Sequence, residues 1–156
     1  MKKSYALITG ASSGIGSEIA ITLAKKGFNI ILTARREERL IALTKDLQDK
    51  HGVHADYVTG DLASPETPQE IYNFCKERNY EVEVLVNNAG YGLPKQFHET
   101  PMEDEEKNIT VLSTSVIALS KIFIPDMLER KSGKIMIISS VASFAPPSTL
   151  QVLYGP

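Results

Sequence analysis

One short turn gathers the residues best suited to chemistry. TGASSGIG, residues 9–16, has glycines at 10, 14 and 16. Gly10 lets the chain turn sharply, and Gly14 and Gly16 let backbone come close to a bound phosphate. Ser12, Ser13 and Ile15 fill the intervening positions. If a helix begins there, its free amides favour a diphosphate. A second feature is Arg35-Arg36, directly after the apolar run NIILTA (29–34). A guanidinium offers a planar fork of donors that fits a phosphate. Cations at a helix amino end oppose the macrodipole by about 0.3–1 kcal/mol, whereas acids suit it. Glu37 and Glu38 therefore fit a helix start, and the arginines call for another partner.

These groups need a scaffold, and the chain supplies one by alternating short apolar runs with longer amphipathic stretches. YALIT (5–9), NIILTA (29–34), HADYVTGDL, VEVLVNNAG (82–90) and GKIMIISS (133–140) read as strands. Between them IGSEIAITLAKKG, EERLIALTKDLQDKHG and SPETPQEIYNFCKERN read as helices, and a long helix is expected from about 104 to 130. Strands that are apolar throughout belong to a parallel sheet covered on both faces. Right-handed crossovers then predict an α/β, doubly wound parallel sheet (Rossmann fold) with strand order 3-2-1-4-5. In that architecture ligand lies beyond the carboxyl ends of the strands, where the turn and the arginines fall.

Bulk properties narrow the function. The chain has 156 residues, 42% hydrophobic and 23% charged, with 17 basic and 19 acidic residues giving a net charge of −2. That balance offers no broad electrostatic footprint for nucleic acid or anionic lipid, and a cytoplasmic, membrane-free setting is expected. A single cysteine, Cys75, excludes an intramolecular disulfide and a multi-cysteine metal site. His51, His54 and His98 lack metal-ligand spacing, so no metal is expected.

The motifs, taken in order, resemble those of the short-chain dehydrogenase/reductase family: TGASSGIG after the first strand, NNAG at 87–90 after the fourth, and Ser140 after the fifth followed by Tyr154. The resemblance covers the whole chain. It implies a single dinucleotide-binding domain over 1–156 and an oxidoreductase moving a hydride between nicotinamide and a carbonyl or secondary alcohol. Such a reduction needs a proton donor for the developing alkoxide and a second donor to position the oxygen. The resemblance gives these roles to Tyr154 and Ser140, with Ser139 the neighbouring alternative. It places Asp61, with Leu62 beside it, at the adenine, and Asn87, Ala89 and Gly90 along the adenosine ribose. No acid ends the second strand to hold a ribose 2′-hydroxyl, so NADP is expected over NAD, with Arg35 first and Arg36 second.

Two departures from the family pattern stand out. The lysine that lowers the tyrosine pKa would fall at position 158, beyond the chain, which is therefore expected to be part of a longer enzyme. The active-site asparagine of the family, which holds water in a proton relay, would fall at Leu112, which cannot hydrogen-bond; Asn108, one turn earlier on roughly the same face, is the candidate substitute but reads more simply as a solvated or capping side chain. The alternative function is a nucleotide-binding regulatory protein without turnover, favoured by Leu112 and opposed by Ser140 with Tyr154. An epimerase or dehydratase is disfavoured by the spacing of the glycine turn. The family also implies a homo-oligomer through the 104–130 helix and a small carbonyl or alcohol as substrate.

Overall fold

The computed structural model describes residues 4–140. Five parallel strands, β1 (Ser4–Thr9), β2 (Asn29–Ala34), β3 (Ala55–Thr59), β4 (Glu81–Asn87) and β5 (Lys134–Ile137), form one sheet in the order β3-β2-β1-β4-β5. This is the expected doubly wound order. The connections are α1 (Gly14–Lys25), α2 (Glu37–His51), α3 (Thr67–Glu77), and α4 (Met102–Ile109) running through a π-turn at Thr110–Thr114 into α5 (Ser115–Glu129).

Alternation along the strands makes two cores, one on each face. Tyr5, Leu7 and Ile31 join Ile71 and Cys75 of α3 and Leu119 and Phe123 of α5. Ala6, Ile8, Ile30 and Leu32 join Ala20 and Ala24 of α1 and Leu40 and Leu47 of α2. Leu7, Ile8, Ile31 and Leu85 are fully buried, each stabilising by about 1.5–3 kcal/mol relative to exposure. A bulge in β4 adjusts this alternation. Pairing passes from Tyr5↔Val82 to Ala6↔Val84, so Glu83 is skipped. Past the bulge, Leu85 returns to the α3–α5 face, while Val84 and Val86 lie on the other.

The long helix runs from Met102 to Glu129 without a break, and by length and composition it is apolar enough to cross a membrane. Here Leu119, Phe123 and Met127 bury one face of it against the sheet. The π-turn has no signal in the sequence: a helix widened by one residue turns the side chains before and after it onto different bearings. Cys75 is buried in α3, and burial pushes its thiol up to about 12, which keeps it protonated and unreactive.

At the amino ends of the strands, away from the glycine turn, Tyr5 and Tyr80 stack at 4.3 Å and the Tyr80 hydroxyl donates to Asp56 Oδ2 at 2.9 Å. Burial, then this hydrogen bond, pushes the Tyr80 phenol well above its usual range. At the opposite margin of the sheet, beside β4, Met136 and Ile137 of β5 are exposed. Exposed apolar edges of this kind are normally covered.

Candidate functional site

The carboxyl ends of the strands open onto a cleft of about 580 Å³, at the place the fold reserves for ligand. Its floor is set by how closely two loops approach. Gly10 has φ +65°, and a Cβ there would lie 2.7 Å from the Ala89 Cα. A Cβ on Gly16 would lie 2.5 Å from Asn88 Nδ2 and 2.6 Å from the Gly10 carbonyl oxygen. Gly10 and Gly16 are therefore needed for the turn after β1 to sit against the loop after β4. Gly14, also with φ above zero, opens α1 into free space.

Hydrogen bonds lock this approach. The Thr9 hydroxyl accepts from the amides of Asn88 (2.9 Å) and Ala89 (3.0 Å) and donates to the Val86 carbonyl (3.3 Å), which uses one donor and two acceptor sites. Asn88 Nδ2 donates to the Thr9 carbonyl at 2.9 Å. Sequence reasoning does not single out Thr9 or Asn88 as ligand-site residues, although Asn88 stands within NNAG. Asn87 is tied into the frame. It is 3% exposed, its Nδ2 reaches Ser120 Oγ at 3.4 Å, and its carbonyl accepts from Ile138 N at 2.9 Å. These bonds tie β4 to α5 and to the chain just past β5. Gly14, Gly16 and Asn87 are not part of the cleft wall, whereas Gly10, Ala89 and Gly90 are.

The amino end of α1 faces this floor with its donors uncommitted. Ser13 is its N-cap residue, makes no side-chain cap, and no acid follows in the first turn. The hydroxyls of Ser12 and Ser13 are turned instead to Arg36. Arg36 Nη2 donates to Ser12 Oγ (2.9 Å) and Ser13 Oγ (2.7 Å), and Nε to Ser12 Oγ (3.2 Å). Each hydroxyl accepts from the guanidinium and keeps its own O–H for another acceptor. Together with the helix amides, this makes a cradle for negatively charged oxygens. Ile15, 62% exposed on the cleft wall, offers an apolar surface beside it.

Arg35, also on the cleft wall, takes a different partner, with its guanidinium carbon 5.8 Å from the Tyr91 ring centroid. Asp61 lies on the wall, where Oδ1 accepts from the Ala63 amide at 3.0 Å and its carbonyl accepts from Thr67 Oγ1 at 2.8 Å. It shapes the turn after β3 and faces the cleft at once, with Leu62 beside it. The Thr33 hydroxyl, also on the wall, is buried and has no partner among the described residues.

The far wall is helix. Leu112, within the π-turn, lies with Cδ2 2.9 Å from where a Gly90 Cβ would be. Asn108 is neither solvated nor a cap: it is 5% exposed, and Nδ2 donates to the Tyr91 carbonyl at 2.9 Å. Its position on the cleft is not readable from sequence, because the bearing of a helix face is a tertiary property. Ser139 and Ser140, just past β5, both lie on the wall. Tyr154 lies outside the described residues. No group of His, Cys, Asp and Glu among the described residues could hold a metal ion.

The family model described as short chain dehydrogenase matches residues 4–155. A very-long-chain 3-oxoacyl-CoA reductase of Phaeosphaeria nodorum is 33% identical over 155 residues, covering 97% of this chain and 46% of that protein. A short-chain dehydrogenase from Sphingobium yanoikuyae, solved in complex with NADPH, superposes with a TM-score of 0.90 at 34% identity, covering 97% of this chain and 59% of that one. L-Sorbose reductase from Gluconobacter frateurii, solved with NADPH and L-sorbose, gives a TM-score of 0.90 at 31% identity over 99% of this chain and 60% of that one. The chain thus spans about half the length of the curated relatives it matches.

Proposed function

The chain belongs to the short-chain dehydrogenase family, and we propose accordingly that it is the nucleotide-binding part of an NADP-dependent oxidoreductase acting on a carbonyl or secondary alcohol. The observation that carries the cofactor reading is Arg36, held over the glycine turn by Ser12 and Ser13. A 2′-phosphate brought there would meet the guanidinium and two hydroxyl donors, while the amides of α1 take the diphosphate. Arg35 lines the same cleft and adds a second positive charge to its wall. Two of the similar structures were solved with NADPH, which supports the same choice.

When bound, the nicotinamide supplies or accepts the hydride. Ser140, on the wall beyond β5, donates a hydrogen bond to the substrate oxygen, and Tyr154 moves the proton. The names 3-oxoacyl-CoA reductase and L-sorbose reductase share a reducible carbonyl and little else, so the reacting group is the shared element and the substrate skeleton is left open.

The test is titration of the full-length protein with NADPH and NADH, followed by NADPH consumption over a panel of ketones. Arg36→Ala is expected to weaken NADPH binding about 10- to 100-fold, the worth of charge-assisted hydrogen bonds, and to leave NADH nearly unchanged. An equal effect on both nucleotides would sink the cofactor reading. Binding without turnover on any ketone or alcohol would favour a nucleotide-binding regulator, a reading that Leu112 supports by placing an apolar side chain on the cleft wall.

We also propose self-association through the 102–129 helix. Ile117, Ile124 and Leu128 remain 38–71% exposed along it, an apolar stripe in want of a partner. Sedimentation of the full-length protein is expected to give a dimer or larger species that Ile117→Glu dissociates. A monomer at micromolar concentration would refute this.

A further inference from the structure

The two arginines beyond the end of β2 both lie on the cleft wall but take different partners. Arg36 is anchored to the glycine turn, whereas Arg35 lies with its guanidinium 5.8 Å from the Tyr91 ring centroid. Arg35 is exposed and Tyr91 half-buried. Tyr91 is in turn held from behind, because its carbonyl accepts from the buried Asn108 amide at 2.9 Å. Asn108 therefore ties α4 to the loop after β4, and the ring on that loop reaches the arginine after β2.

We propose that Tyr91 is a positioning residue for NADP selectivity: its ring holds Arg35 facing the cleft, and Asn108 holds Tyr91 in place. This deepens the dinucleotide reading of the cleft and rests on it. An exposed arginine loses considerable rotamer freedom when it grips a phosphate. An aromatic ring reduces that loss by engaging the guanidinium face, which leaves the N–H donors along its edge free for phosphate oxygens. The effect requires the 2′-phosphate as well as the arginine. It should therefore appear with NADPH and be absent with NADH. It needs the ring but not the phenol hydroxyl, so phenylalanine should serve as well as tyrosine.

The experiment measures dissociation constants for both nucleotides, by nicotinamide fluorescence, in the full-length protein. Tyr91→Leu is expected to weaken NADPH about two- to fivefold, as expected for an exposed cation–π pair, with NADH unchanged. Tyr91→Phe is expected to restore wild-type NADPH affinity. Asn108→Ala should reproduce the selective loss. In an Arg35→Ala background, Tyr91→Leu should have no further effect. Equal losses for NADPH and NADH, or an undiminished effect of Tyr91→Leu without Arg35, would overturn the inference while leaving the cofactor reading intact. Wild-type protein that binds neither nucleotide would overturn both.

Discussion

Ser140→Ala in the full-length enzyme is expected to lower kcat by about two to three orders of magnitude, the usual cost of removing one hydrogen-bond donor aimed at a developing oxyanion. Cofactor affinity should change little, because the glycine turn and Arg36 form the cradle without help from Ser140. The reason lies in when the bond matters: a carbonyl oxygen gains negative charge as hydride arrives, so a donor held beside it stabilises the transition state more than the ground state. β5 supplies the rigid support, pairing Ile137 with Asn87, and just past it Ile138 N donates to the Asn87 carbonyl. Ser139 shares the wall, so Ser139→Ala is the necessary control. A kcat for Ser140→Ala within tenfold of wild type, or a larger loss for Ser139→Ala, would remove Ser140 from the role.

Gly10→Ala should be the most damaging change at the nucleotide end. A side chain there meets two separate penalties. The residue has φ +65°, which costs an L-amino acid about 1–2 kcal/mol. Its Cβ would also lie 2.7 Å from the Ala89 Cα, a backbone atom that no rotamer change can move. Overpacking of that kind typically costs about 1–3 kcal/mol more. The urea midpoint should fall accordingly, and NADPH affinity should drop by more than about 100-fold, since the turn must lift away from the NNAG loop to relieve the contact. A variant with an unchanged midpoint and unchanged affinity would show that the two loops do not need to touch.

The parts of the fold legible in the sequence are those with local causes. Apolar runs at strand length, helical spacing between them and glycines at the turns lead to five parallel strands in the observed order. Where residue type alone decides, the sequence points to segments that line the cleft: the glycine turn, the arginines, and Ala89 and Gly90 of NNAG. What escapes depends on how elements meet. Sequence ranks Arg35 above Arg36 for the phosphate; both line the cleft, and which partner each side chain takes, the serines for Arg36 and the Tyr91 ring for Arg35, follows from packing. Asn108 reads as a surface side chain because the buried face of a helix beside a π-turn follows from packing against the Tyr91 loop. The skipped Glu83 leaves no mark in the composition of β4, since VEVLV alternates equally well without a bulge. Asp61 is a choice between turn-former and ligand contact, and its position allows both.

The single hydroxyl of Thr9, with all three of its hydrogen-bonding sites taken, has a consequence for binding energetics. It welds the turn after β1 and the loop after β4 into one rigid body before any nucleotide arrives. A dinucleotide settling there would have little backbone to order, and the entropy that a floppy loop would lose on association has already been lost during folding. Discrimination between nucleotides then falls to the side chains standing on that body, which can be exchanged without disturbing the frame beneath them.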